Sequence, residues 1–309
     1  MDTILHIQGD ASSTLTPLIL IHAISGLALP YLALGPLDGT DLSSGRPVYG
    51  ISSPMITSPN KYSTYLPTSL SALASQYVSL IRQKFPKGPY LLGGWSMGGM
   101  IAMEMTSILR SQGEQVLHVL MIDSVNPPNY PKFADRQEHE VVSRITYNAI
   151  ASRLGAPTLP LTAELDDPDG GISDDNSSVE SSAENSEDED WDEEMEDMLR
   201  KMRKHIHWGL SVLSMSSWND TLEVLRNASR TPVTLVKCVA QTPIPGEVRD
   251  GRKKVLRRLN RDEQLGWPAQ KFERFRIVKI GATHDSCFDA GYVGELTRLL
   301  RSCLAGVEQ

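Results

Sequence analysis

The stretch GGWSMGG, residues 93–99, constrains this chain more than any other. Before it, Tyr90–Leu92 reads as an apolar strand. After it, Ile101, Ala102, Met105, Ile108 and Leu109 repeat at helical spacing until Gly113 stops the run. A strand that becomes a helix across so few residues needs a sharp turn, and bulky side chains at the glycine positions 94 and 98 would collide with neighbouring backbone. Gly94-Trp95-Ser96-Met97-Gly98 fits G-x-S-x-G in that strand–turn–helix setting. Ser96 is therefore the candidate nucleophile, lifted clear of the sheet. The backbone N–H of Met97, at the start of the helix, is a candidate oxyanion donor.

The rest of the chain supplies a fold for such a turn. Residues 4–8, 17–22, 47–51, 116–122, 231–240 and 275–280 read as short β-branched or apolar strands. Leu70, Leu73, Tyr77, Leu80 and Ile81 form one helical stripe behind Thr68, a candidate N-cap, and residues 292–300 suit a closing helix. Strands alternating with helices predict an α/β fold, a mostly parallel sheet with helices on both faces. The alternation breaks over 133–221, where two amphipathic stretches (137–154 and 192–214) flank an acidic segment. The expected organisation is one domain, with core 1–132 and 222–309 and a helical lid insertion over 133–221.

Charge is unevenly distributed. Residues 164–197 hold 17 of the 38 acidic residues and no Lys or Arg, leaving 21 acids against 30 bases elsewhere. A segment so poor in apolar side chains cannot offset its ordering entropy, so a disordered loop is expected over 164–197. The opposite charge gathers in RDGRKKVLRRLNR, 249–261, whose seven bases read as a solvated helix face, a docking surface for an acidic partner, or a partner of the acidic segment itself. It lacks interleaved aromatics, which argues against nucleic acid. No apolar run reaches the roughly 18–20 residues of a membrane span, and the N-terminus lacks a secretory signal. Cys238, Cys287 and Cys303 are odd in number with no CxxC spacing, so neither a disulfide framework nor a metal site is expected. These features together predict a cytoplasmic protein with no membrane partner.

A serine hydroxyl needs a base. Of the seven histidines, His6 and His118 sit within strand patterns, and His139 lies in a polar helical stretch. His205 and His207, near Lys204, read as surface. His284, in the loop after the last strand, is where a parallel sheet delivers a base. Asp123 closes VLHVLMID, directly after the nucleophile helix, and is the candidate acid. The strand over 231–240 ends without a carboxylate at its tip. The loop HAISG after the second strand is expected to bring a second oxyanion N–H, from Ala23 or Ile24, with His22 holding that loop.

These residues resemble a known family. LILIHAISG, GPYLLGGWSMGGMIAMEM, VLMIDSVNPP and GATHDSCF look like the thioesterase domains that close polyketide and nonribosomal peptide synthases. The likeness is nearest to those ending fungal non-reducing polyketide synthases. It covers about 15–135 and 231–290, and is weakest over the insertion. Its most specific features are GGWSMGG and an aspartate 27 residues after the serine. The sequence departs from the family pattern at His22-Ala23, where the family has His-Gly, and at Thr283-His284-Asp285, where it often has Asn-His-Phe.

The resemblance implies an α/β-hydrolase fold and a serine thioesterase with Ser96, Asp123 and His284 as its triad. It needs no cofactor of its own, because the acyl chain arrives on the phosphopantetheine of an acyl carrier protein. Release by water gives an acid, and release by an internal nucleophile gives a ring. The chain begins close to its first strand and is expected to be free-standing. The rival readings are an esterase or lipase acting on oxygen esters and a non-catalytic hydrolase-fold binding module.

Overall fold

A computed structural model describes residues 2–38, 40–57, 66–161 and 186–307, with backbone alone for 186–192. Seven strands form one sheet: β1 (Ile4–Gln8), β2 (Leu18–Ile21), β3 (Val48–Ile51), β4 (Tyr90–Trp95), β5 (Val116–Ile122), β6 (Val233–Cys238) and β7 (Phe275–Ile280). Their spatial order is β1-β3-β2-β4-β5-β6-β7. Only β1 runs antiparallel, paired with β3, and every other pairing is parallel. The helices are α1 (Pro54–Thr57), α2 (Leu70–Lys84), α3 (Met97–Ser111), α4 (Arg136–Arg153), α5 (Ser186–Met215), α6 (Trp218–Ala228), α7 (Asp250–Arg261) and α8 (Val293–Leu304).

The central strands bury both faces, so they read as continuous apolar runs. Alternation along them sorts two cores. Ile19, Ile21, Leu92, Val119, Met121 and Leu235 point to the side covered by α2, α3 and α6. Leu18, Leu20, Leu91, Leu120, Ile122 and Val236 point to the side covered by α8 and the 29–37 segment. This is the mostly parallel, doubly covered sheet that the alternation predicts. The α2 cap is Ser69, whose hydroxyl accepts from Ala72 N–H, and not Thr68 one residue earlier.

Among the described residues three α-helices, α4, α5 and α6, lie between β5 and β6, where the pattern predicts two. Val142, Tyr147, Met202, Ile206 and Leu210 of α4 and α5 close a third core together with Leu27 and Ile56. Helix α6 opens on a capping box between Ser217 and Asp220 and sends Val224 and Ala228 into the core beside α3. The boundary expected at 221/222 therefore falls inside a helix that packs with the body. The loop expected over 164–197 lies outside the described residues as far as 185. From Ser186 the acidic run is the beginning of α5. Among the described residues no helix is long and apolar enough to cross a membrane.

Candidate active site

The parallel strands deliver their loops to one edge of the sheet, which places Ser96 after β4, Asp123 after β5 and His284 after β7 side by side. The turn at Ser96 is sterically demanding. A side chain at Gly98 would strike the backbone of Ile21 and His22, and one at Gly94 would strike Gly98 itself. Ser96 sits at φ 56°, ψ −123°, held by its N–H to Ile122 O at 2.8 Å. Asp123 is also in the left-handed region, at φ 45°, with its N–H bonded to Val236 O at 2.8 Å. Each such residue costs on the order of 1–3 kcal/mol, a strain that the well-packed sheet sustains where side chains must be aimed.

The three side chains form a continuous relay. Ser96 Oγ lies 3.1 Å from His284 Nε2, and His284 Nδ1 donates to Asp123 Oδ2 at 2.8 Å. Asp123 Oδ1 accepts from Cys238 N–H at 2.9 Å and lies 3.6 Å from the ammonium of Lys237, which is itself buried. Burial pushes the Asp123 carboxyl up. The hydrogen bond and charge of His284, the Lys237 ammonium and the Cys238 N–H together outweigh that and hold it below the usual range. Burial likewise opposes protonation of His284, but the hydrogen bond and charge of Asp123 win, and its pKa is raised to about 9. The carboxylate therefore fixes the proton on Nδ1 and leaves the Nε2 lone pair facing Ser96 Oγ.

The loop after β2 closes the site from the other side. Ala23 and Ile24 line the same cavity as Ser96, Asp123 and His284. Met97 is the first residue of α3, whose opening N–H groups have no intrahelical acceptor. Buried His22 holds this loop, as its sequence position suggests, with Nδ1 donating to Ala23 O at 2.6 Å and Nε2 accepting from the Tyr77 hydroxyl. Burial depresses its pKa to about 3, so the ring is neutral. Tyr31 was not singled out by the sequence. Its hydroxyl donates to Ile21 O at 2.6 Å and accepts from Trp95 N–H at 2.8 Å, tying the ends of β2 and β4 together beside the serine.

Above the relay is a cavity of about 430 Å³ with mostly apolar walls. Ile145, Ala149 and Ile150 of α4, Leu210 and Leu213 of α5, and Leu256 and Leu259 of α7 form much of it. Trp95 lies 5.6 Å from the His284 ring and 5.1 Å from the Phe288 ring, forming the wall nearest the serine. A hydroxyl within hydrogen-bond reach of a base, beneath a largely apolar chamber, is equipped for acyl transfer to and from serine.

Two sequence expectations change here. His205 is fully buried rather than exposed, and its Nδ1 reaches Ile24 O at 3.0 Å. The basic run 249–261 is not uniformly a surface. Arg252 is buried against Glu138 at 3.1 Å and lies 4.2 Å from the Phe133 ring centre, joining α7 to α4. Arg249 pairs with Asp135 at 2.7 Å, and Lys253 lies 3.6 Å from Asp250. Lys254, Arg257, Arg258 and Arg261 are exposed and have no ion pair among the described residues.

The chain is similar to known proteins in sequence and in fold. The family profile described as Thioesterase domain matches residues 41–165. The chain is 44% identical over 314 aligned positions to the thioesterase pytI of Aspergillus terreus, covering 100% of both chains. A stretch of 125 residues is 38% identical to the non-reducing polyketide synthase PFUR17_0229 of Pseudevernia furfuracea, spanning 40% of this chain and 6% of that synthase. The NocB thioesterase domain, solved as a covalent complex with a fluorophosphonate nocardicin G analogue, shares the fold at a TM-score of 0.60. It is 21% identical, and the match covers 98% of this chain and 100% of that one. The chain thus belongs to the thioesterase family and is an enzyme of the α/β-hydrolase fold.

Proposed function

We propose that this thioesterase releases an acyl or polyketide chain from the phosphopantetheine arm of an acyl carrier protein through an acyl-Ser96 intermediate. The observation that carries the reading is the unbroken hydrogen-bond relay from Ser96 through His284 to Asp123 at the floor of an apolar cavity. Relatedness to a polyketide synthase region supports the carrier-bound substrate.

In this mechanism Ser96 Oγ attacks the thioester carbonyl carbon while His284 Nε2 takes the hydroxyl proton. The backbone N–H of Met97 and one from Ala23 or Ile24 hold the oxyanion of the tetrahedral intermediate. As the intermediate collapses, the carbon–sulfur bond breaks and His284 returns the proton to the departing thiol. His284 then deprotonates the second nucleophile as it attacks the acyl carbonyl. When the second tetrahedral intermediate collapses, the ester bond to Ser96 Oγ breaks and His284 returns that proton to Ser96. Water gives the free acid, and a nucleophile within the chain gives a ring. Asp123 stays ionised and stabilises the transient imidazolium. The insertion over α4 and α5 serves as a lid that keeps the acyl chain dry. The buried, unpaired thiols of Cys238, Cys287 and Cys303 suit a reducing cytoplasm.

The test is a comparison of matched acyl thioesters and oxygen esters carrying the same chain, with Ser96→Ala as control. The proposal expects thioesters to be preferred and activity on both to vanish in Ser96→Ala. Preference for the oxygen ester would make the protein an esterase. Retained turnover in Ser96→Ala would remove the serine from the mechanism.

A further inference from the structure

Two neighbouring positions on α5 press against the arms of the proposed oxyanion site. His205 and Gly209 are one turn apart on the same helical face. The buried His205 ring places Nδ1 3.0 Å from Ile24 O and packs edge-on against the His22 ring at 5.0 Å. The carbonyl is an acceptor only, so Nδ1 carries the proton. At Gly209 the helix backbone comes so close that an added methyl would meet Ile24 Cδ1 at 2.6 Å and Met97 Sδ at 3.3 Å. One turn of the inserted helix thus touches both Ile24 and Met97.

The backbone logic follows from peptide planarity. In a trans peptide the N–H points opposite to the C=O. His22 holds the carbonyl of Ala23, and so sets the direction of the Ile24 N–H. His205 holds the carbonyl of Ile24, and so fixes the peptide on its other side. Ile24 is clamped at both of its flanking peptides, one from the body and one from the insertion.

We propose that His205 and Gly209 are positioning residues for the oxyanion site and that the Ile24 N–H is its second donor. The inference rests on the reading of Ser96 as nucleophile. It also links the two halves of the enzyme. Leu210, next to Gly209 on α5, and Leu213, one turn beyond it, line the cavity above Ser96. The helix that contacts the acyl chain is therefore the helix that sets the oxyanion donor, and a chain that displaces α5 loses transition-state stabilisation along with its fit.

The experiment compares the full-length protein with His205→Leu, His205→Asn and Gly209→Ala. Asparagine retains an N–H donor near the position of Nδ1, whereas leucine removes it. Each variant is assayed for kcat and KM on a small acyl thioester and for inhibition by an alkylboronic acid, whose serine adduct places a tetrahedral oxygen in the oxyanion site. Removing an oxyanion donor outright costs about 10²–10³ in kcat, so misaiming one is expected to cost about 10–100-fold. His205→Leu and Gly209→Ala should show that loss with KM within about twofold, and His205→Asn should recover most of the activity. Boronate affinity should fall in step with kcat/KM. A rise in KM with kcat and boronate affinity unchanged would overturn the proposal and leave α5 as a chamber wall only. Equal losses in His205→Leu and His205→Asn would also overturn it. If Gly209→Ala does not fold, the two His205 variants decide the matter. Fluorophosphonate labelling of wild-type Ser96 separates the two levels. No labelling would defeat the nucleophile reading itself, while labelling with fully active His205→Leu and Gly209→Ala would defeat only the role of α5.

Discussion

Asp123→Asn is isosteric, yet the surroundings of Asp123 dictate what it does. Oδ1 faces the Cys238 N–H at 2.9 Å and the Lys237 ammonium at 3.6 Å, both of which are donors. An asparagine must turn its carbonyl oxygen toward them, because an amide NH2 there would oppose two donors in a buried site. Its NH2 group then occupies the position of Oδ2 and points at His284 Nδ1, now 2.8 Å from a donor rather than an acceptor. The imidazole answers by moving its proton to Nε2, where it can no longer accept from Ser96. A wrong tautomer in a serine triad lowers kcat by about 10⁴-fold, or about 5.5 kcal/mol of transition-state stabilisation. The assay is thiol release from an acyl thioester, on variant protein whose circular dichroism matches the wild type. A loss below about tenfold would instead mean that His284 keeps the tautomer that faces Ser96 without a carboxylate to hold it.

Asp123 raises the His284 pKa from 6.5 to about 9, and the base must be neutral, so kcat/KM should climb with pH along a limb above the ordinary histidine value. The linked stability has the opposite sense. The imidazolium–carboxylate pair contributes fully below pH 6.5 and is lost as pH rises through about 9, which thermal melts of wild type and His284→Gln across that range would show. Arg252→Leu leaves the buried Glu138 carboxylate without its counter-charge and should cost about 3–5 kcal/mol in denaturant unfolding. Reversing Lys254, Arg257, Arg258 and Arg261 to Glu should raise KM for a carrier-bound acyl chain by at least about tenfold and leave KM for a small thioester unchanged. Equal effects on both substrates would mean that this face of α7 does not dock the carrier.

Much of this architecture was legible because it is local. Apolar runs bounded by turns marked all seven strands, and the glycines around Ser96 marked the elbow whose close contacts with Ile21 and Gly98 leave no room for side chains. Asp123 and His284 could be chosen because each ends or follows a strand at the same sheet edge. What escaped was set by partners distant in sequence. Lys237 interrupts an apolar strand, and only the fold reveals Asp123 beside it. His205 looked exposed beside Lys204, yet it shares the helical stripe of Met202, Ile206 and Leu210, which are all buried. That periodicity was the available signal. Arg252 was counted with its charged neighbours because nothing nearby in sequence announces Glu138 and Phe133. The start of α5 was hidden for a different reason. Charge density argues against folding when a segment stands alone, whereas Met195, Met198 and Leu199 bring it onto the core of the insertion.

The proposed mechanism passes through a covalent bond to one hydroxyl, that of Ser96. Incubating the protein with an acyl thioester, quenching in acid and mapping the digest by mass spectrometry would locate it. An acyl mass is expected on the peptide bearing Ser96, absent in Ser96→Ala and accumulating when His284→Ala is assayed with a highly activated thioester. An acyl group found on any other residue, or turnover with no acyl-enzyme even under rapid quench, would contradict that mechanism.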